Sequence, residues 1–303
     1  MAYQFKQGDK TVQQGVRRIA RRELEKAVED IDEARDASKI IHLLRKRCKK
    51  LRGLIRLVRP GFSGYAEENA AFREAARTLS DIRDADVMTK AYDALMKANK
   101  GEVERSAMAP VRRALTVRLK DARDADALAG RLDLFRQNMI AAQQRARDWT
   151  IDDKEFEALG PGLAKTFGRA RNAMEDAREV RTPEKIHEWR KRVKYHGYHA
   201  RLLEPAFREA MAAHRKATRR LGSLLGDHHD LAMFVDTLET FEVGDGERRK
   251  VLLRLARQRQ SIIETEAFPL GERLFAEGAD ELAARWARWW SIWRGEERFA
   301  VAA

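Results

Sequence analysis

Apolar residues recur at helical spacing through most of this chain. Val12, Val16, Ile19, Leu24, Val28 and Ile31 predict a first helix over residues 10–34. A second is predicted from Ser38, read as its N-cap, to a stop before Pro60-Gly61. A third is expected over residues 65–79 and a fourth over 81–98, with a break at Gly101. Helical patterning resumes over residues 102–148, with an interruption expected near Lys120. Thr182-Pro183 marks another start, Thr as cap and Pro at the first helical position. That helix is expected to end at Glu204-Pro205. No apolar run approaches the roughly 18 residues of a membrane span, and the first ten residues lack the apolar core of a signal peptide.

The pattern repeats. Residues 41–59 carry Arg45, Lys46, Arg47, Lys49, Lys50, Arg52, Arg56 and Arg59 and no acid. Residues 186–203 copy the layout: His42 pairs with His187, Arg45 with Arg190, Lys46 with Lys191, Arg47 with Arg192, Lys49 with Lys194 and Arg56 with Arg201. Elsewhere Gly15 pairs with Gly162, Arg18 with Lys165, Arg22 with Arg169, Asp81 with Asp227, Arg83 with His229 and Asp84 with Asp230. Such matches at near-constant spacing predict an internal duplication. The expected architecture is all-α: two helical bundles related by a pseudo-twofold, residues 1–150 and 151–303, each with four core helices plus accessory ones, joined by a linker over 150–159.

Composition sharpens this. Charged residues make up 36% of the chain, well above the usual quarter, and the net charge is +13. Residues 1–150 hold 33 Lys+Arg against 22 Asp+Glu, and residues 151–303 hold 28 against 26, so the excess sits in the first half. Such a balance implies an anionic partner. The single cysteine, Cys48, excludes an internal disulfide, fits a reducing cytosol, and falls on an apolar helix face as a small buried hydrophobe.

At 100° per residue, His42, Arg45, Lys46, Lys49, Arg52, Gly53 and Arg56 share one helix face. Leu43, Leu44, Cys48, Leu51, Leu54, Ile55 and Val58 cover the opposite one, toward which Arg47 also projects. Cation pairs such as Arg45–Lys49 and Arg52–Arg56 repel at i,i+4, each by a few tenths of a kcal/mol. Compensation must come from outside the helix: a ligand, or acids on neighbouring helices such as Asp81, Asp84 and Asp86. From His42 to Arg56 the stripe runs about 21 Å, a length suited to a linear polyanion. Arg offers a planar fork for phosphate oxygens and Lys a movable charge, while His42 and His187 could donate when cationic and Gly53 would leave room for a ligand. The second stripe comprises His187, Arg190, Lys191, Lys194, Tyr198 and Arg201, whereas His196 and His199 fall on the apolar side as core histidines.

Catalytic signals are weak: the chain has no Gly-rich phosphate loop, GxSxG or HExxH. Asp227-His228-His229-Asp230 looks like a metal cluster, but its counterpart Asp81-Ile82-Arg83-Asp84 lacks both histidines, which argues against a shared metal site. His229 instead fits a second basic contact, and the acids fit helix starts or partners of the basic stripes. Trp286, Trp289, Trp290 and Trp293 form one apolar helical stripe, read as a packing seam rather than a base-stacking platform.

The twin His-x-x-Arg-x-x-x-Lys/Arg helices, His42 to Arg52 and His187 to Arg201, together with the turn at Leu79 to Val87 echoed at Leu225 to Met233, resemble the CHAD family, the conserved histidine α-helical domain. The resemblance implies two four-helix bundles around a basic channel that binds inorganic polyphosphate. Carried over by position, the binders would be Arg18, Arg22, His42, Arg45, Lys46, Lys49, Arg52 and Arg56, then Lys165, Arg169, His187, Arg190, Lys191, Lys194 and Arg201. Gly197 stands in place of Arg52 and Tyr198 in place of Gly53, so an asymmetric grip is expected. Some members carry a triphosphate tunnel domain with an ExExK motif before the helices; this chain has no such motif.

The reading is therefore a non-catalytic, cytoplasmic polyphosphate binder, without cofactor or metal, and association with polyphosphate granules stays open. A nucleic-acid binder, a metal-dependent phosphohydrolase using the 227–230 cluster, and a scaffold docking an acidic helix stay open as alternatives.

Overall fold

A computed structural model describes residues 3–33, 36–122, 124–240 and 246–300. They form helices α1 (Val12–Asp32), α2 (Ala37–Leu57), α3 (Tyr65–Arg77), α4 (Ser80–Ala98), α5 (Ala109–Ala122), α6 (Ala125–Arg147), α7 (Gly160–Glu179), α8 (Pro183–Leu203), α9 (Arg208–Thr240), α10 (Gly246–Leu274) and α11 (Ala279–Ala300). Apart from an isolated bridge between Lys100 and Val103, the described residues contain no β-structure, and the protein is all-α.

Boundaries follow local chemistry. Thr11 caps α1 by accepting from the Gln14 N–H, and Thr182 caps α8 by accepting from Lys185. The N-cap of α2 is Asp36, which accepts from the Lys39 N–H at 3.1 Å, and not Ser38, which lies inside the helix and reaches Asp86 on α4 at 3.2 Å. The expected end of the first helix at Ala34 lies outside the described residues.

Neighbour relationships recur along the chain. α1 packs on α2 and α6 as α7 packs on α8 and α11, and α2–α3 and α4–α5 contacts parallel α8–α9 and α9–α10. The parallel has one interruption. Where the first half turns between α3 and α4 at Thr78-Leu79, the second runs through as the single helix α9. Asp227 and Asp230 therefore sit within a helix rather than at a helix start.

The apolar residues form two cores, and each draws on both halves. The larger joins α1, α2, α3, α6, α7, α8 and α11 with parts of α9 and α10, and holds Leu44, Leu51 and Leu54 of α2 together with Phe167 and Trp189 of the second half. The smaller joins α4 and α5 to α9 and α10 through Tyr92, Val111, Phe234 and Leu252. Trp286, Trp290 and Trp293 are buried in the larger core, as their spacing predicts. Residues 150–159 are anchored: the Ile151 N–H donates to Gln13 and the Asp152 N–H to the Gly61 carbonyl.

Candidate functional site

The two basic helices meet. α2 packs against α8, and the meeting point is Gly53, where an added Cβ would lie 2.9 Å from the Cβ of Tyr198. His199 locks the junction by donating from Nε2 to the Gly53 carbonyl at 3.0 Å. Gly53 therefore does not leave room for a ligand; Tyr198 fills the space. Next to this, the α2 C-terminus abuts α7 so tightly that a Cβ on Gly162 would lie 1.9 Å from the Leu57 carbonyl oxygen.

On one side of the junction the cations of three helices converge: Arg45 and Lys49 of α2, Arg83 of α4, and Arg190 and Lys194 of α8. Burial lowers the Lys49 ammonium to about 7, helped by Lys194, Arg190, Arg45 and Arg83. Burial and then Arg190 and Arg83 bring Lys194 to about 8, with Asp230 and Asp227 pulling the other way. Arg45 spends its donors on the Ala76 carbonyl at 2.6 Å and the Ser80 hydroxyl at 2.7 Å, and Nε of Arg190 is buried without an acceptor. Only Arg83 has a contact acid, Asp86 at 2.8 Å. Asp84 and Asp230 face the cluster, yet burial raises both carboxyls above the ordinary range. Among the described residues, no carboxylate comes within 4.0 Å of Arg45, Lys46, Lys49, Arg190 or Lys194. Of the five cations, only Arg83 is therefore neutralised by an acid in contact.

Three imidazoles border the cations. His187 lies against His229 of α9, ring centroids 4.0 Å apart. Burial, then Arg190 and Lys191, lower His187 to about 4; burial, then Arg83 and Lys46, do the same to His42; and burial, then His187, bring His229 to about 3. Burial thus favours the uncharged form of all three imidazoles in the free protein. A neutral imidazole still offers one N–H.

The remaining predicted residues lie elsewhere. Arg52 and Arg56 continue the α2 stripe beyond the junction: Arg56 donates to Tyr65 Oη at 2.7 Å and Asn69 Oδ1 at 2.9 Å, and lies 4.2 Å above the Tyr195 ring. Arg169 of α7 faces Arg59 in this second group. Arg201 belongs to a third region, acting on Lys50 and Tyr3. There Glu23 holds Lys50 at 2.8 Å and Arg47 at 2.9 Å. Arg18 is bound to Asp9 at 2.6 Å, Arg22 to Glu25 and Glu29, and Lys191 to Glu188, while Lys165 is exposed on α7. His196 and His199 are fully buried, the former 2.7 Å from His214, and burial pushes the Cys48 thiol up to about 12.

The Asp227-His228-His229-Asp230 run does not converge on a point. His228 is buried against Glu264 at 3.1 Å, whereas His229 turns to His187. Among the described residues no three His, Cys, Asp or Glu side chains could hold a metal ion, and no helix is long and apolar enough to cross a membrane. Arg83, His229, Arg59, Tyr195 and Asn69 are the site neighbours missing from the predicted set. The pairing of Arg83 with His229 at one repeat spacing was the available signal.

The geometry defines a helical protein whose two basic helices share one desolvated cationic cluster, in which only Arg83 has a carboxylate in contact. The CHAD domain profile matches residues 15–239, and the chain belongs to that family, which is associated with polyphosphate. The solved structure of PptA from Streptomyces chartreusis has the same fold, with a TM-score of 0.61, 13% identity, and coverage of 88% of this chain and 98% of that one. No curated protein matches the chain.

Proposed function

We propose that this protein binds inorganic polyphosphate, without turning it over, in a basic channel between its two basic helices. The central residues are Arg45, Lys49, Arg83, Arg190 and Lys194, with His42, His187 and His229 donating beside them. One observation carries the reading: Lys49 and Lys194, from matching positions of the two stripes, share one cluster in which Lys194 depresses the charge of Lys49, with no carboxylate in contact with either. Holding ammonium groups in that state is costly, and a chain of phosphates supplies the missing counter-charge at about one negative charge per unit. The near-symmetric donors from α2 and α8 suit an extended, repetitive anion better than a single compact phosphate. Lys46 and Lys191, on the outer flank, would contribute long-range attraction, and a cytosolic setting accords with the buried free thiol.

A titration of polyphosphate against the wild-type chain and the Lys49→Gln/Lys194→Gln variant tests this. Loss of affinity for polyphosphate, exceeding the loss for single-stranded DNA of matched charge, supports the reading. Equal losses for both polymers would favour a nucleic-acid binder, and release of orthophosphate on incubation with Mg²⁺ would make the protein a phosphohydrolase.

A further inference from the structure

Among the described residues, Nζ of Lys49 makes neither an ion pair nor a hydrogen bond. The strongest charges acting on it are all cationic: Lys194 and Arg190 of α8, Arg45 one turn earlier in α2, and Arg83 of α4. His42, His187 and His229 also face this amine, and burial favours the uncharged form of each. Of the acids, Asp230 faces Lys49, but less strongly than it faces Arg190, Arg83 and Lys194.

Two of these neighbours are themselves short of an acceptor. Arg190 Nε is buried with none among the described residues, and it lies 3.7 Å from where a Cβ on Gly226 of α9 would stand. Nζ of Lys194 likewise has no ion pair or hydrogen bond there, while its Cγ packs 3.8 Å from the same point on Gly222, one turn earlier in α9. The α9 backbone thus forms a wall behind both side chains. Lys49 stands among donors that lack an anion. Titrating at about 7, it holds roughly a thousandfold more free amine at neutral pH than an ordinary lysine.

We propose that Lys49 is a site of reversible carbamylation by carbon dioxide, its carbamate accepting from the Arg190 Nε–H and the Lys194 ammonium. The nitrogen lone pair attacks the carbon of CO2, one C=O π pair moves onto oxygen, and the nitrogen gives up a proton to solvent. The sum is RNH2 + CO2 → RNHCOO⁻ + H⁺, with no further reactant. On an exposed lysine protonation wins the competition for the lone pair. Here burial and the surrounding cations oppose the ammonium, and the same cations favour the anionic product. Lys194 is the poorer site, because Asp230 and Asp227 act on it more strongly and would oppose a second anion. Carbon dioxide is small and uncharged, so it reaches a buried amine at little desolvation cost. The carbamate rests on the cluster's geometry and not on its proposed ligand, so it stands whether or not polyphosphate binds there.

Carbon-13 NMR of the full chain, free of polyphosphate and equilibrated with carbon-13 bicarbonate at neutral pH, tests the assignment. Surface amines give a background common to every sample, so the difference between samples is the reading. The wild type is expected to show a carbamate resonance that is lost in Lys49→Arg. It should be several-fold weaker in Lys194→Gln, which removes a cation that both frees the amine and holds the product. Circular dichroism checks the helix content of each variant, and Lys194→Gln carries the test if Lys49→Arg does not fold. No carbamate resonance in the wild type, or one equally strong in the wild type and the folded variant, overturns the proposal.

Discussion

Gly53 and Tyr198 occupy matching positions of the two basic helices, and they are each other's contact. With 2.9 Å between a would-be Cβ on Gly53 and the Tyr198 Cβ, there is no room for a side chain on α2 at this point. The pair brings Lys49 and Lys194 together by letting the helix backbones approach.

Gly53→Val should therefore lower stability by about 1–3 kcal/mol through overpacking, and with it the affinity for polyphosphate. Urea unfolding and a binding titration on the same sample check this. Gly162→Ala should be the more damaging, since its methyl would meet a backbone carbonyl that cannot rotate away.

The free protein should gain stability as pH rises. Lys49 titrates near 7 when folded and near 10.5 when unfolded, so between those values the unfolded chain binds more protons and alkali favours the fold. Lys49→Met removes the strain and should stabilise the unliganded protein by on the order of 1–3 kcal/mol while weakening polyphosphate binding. Thermal melts from pH 6 to pH 10, with and without ligand, separate the two effects.

Glu23 behaves oppositely. Burial pushes its carboxyl up, but Lys50 and Arg47 more than reverse this and hold it below the usual carboxylate range. Its contribution is present above about pH 4.5 and is lost as pH falls through the folded value. Glu23→Gln leaves two cations short of charge in a site where Glu23 is only 4% exposed, and should cost roughly 3–5 kcal/mol by denaturant unfolding.

Polyphosphate affinity should fall steeply with salt as counterions are released. By analogy with duplex DNA, removing Lys49 and Lys194 should flatten the log–log slope by about 1–2. Titrations at several NaCl concentrations measure it.

Much of the fold was legible because helical amphipathicity is a local signal. The α8 cap at Thr182 and the Trp286–Trp293 seam needed no tertiary information. Ser38 and Asp36 are both good caps and lie two residues apart, and only the bond to the Lys39 N–H marks Asp36 as the cap. The continuity of α9 was hidden because the α3–α4 turn in the matching stretch suggested a break. In the site, the stripe periodicity located Arg45, Lys49, Arg190 and Lys194. It could not tell which cations find local acids, as Arg18 does with Asp9 and Arg22 with Glu29, because those pairings depend on neighbouring turns and rotamers. Gly53 misled for a related reason: a small residue on a polar stripe is equally suited to a ligand or to another helix.

On the proposed mode of binding, phosphate charge recharges Lys49 and Lys194. Isothermal titration of polyphosphate at pH 8, in buffers of different ionisation enthalpy, counts the protons taken up on binding. The account predicts uptake of about one to two protons, largely abolished in Lys49→Gln/Lys194→Gln, with affinity falling from pH 6 to pH 9. Tight binding with no proton uptake, equal in the wild type and the variant, would contradict it.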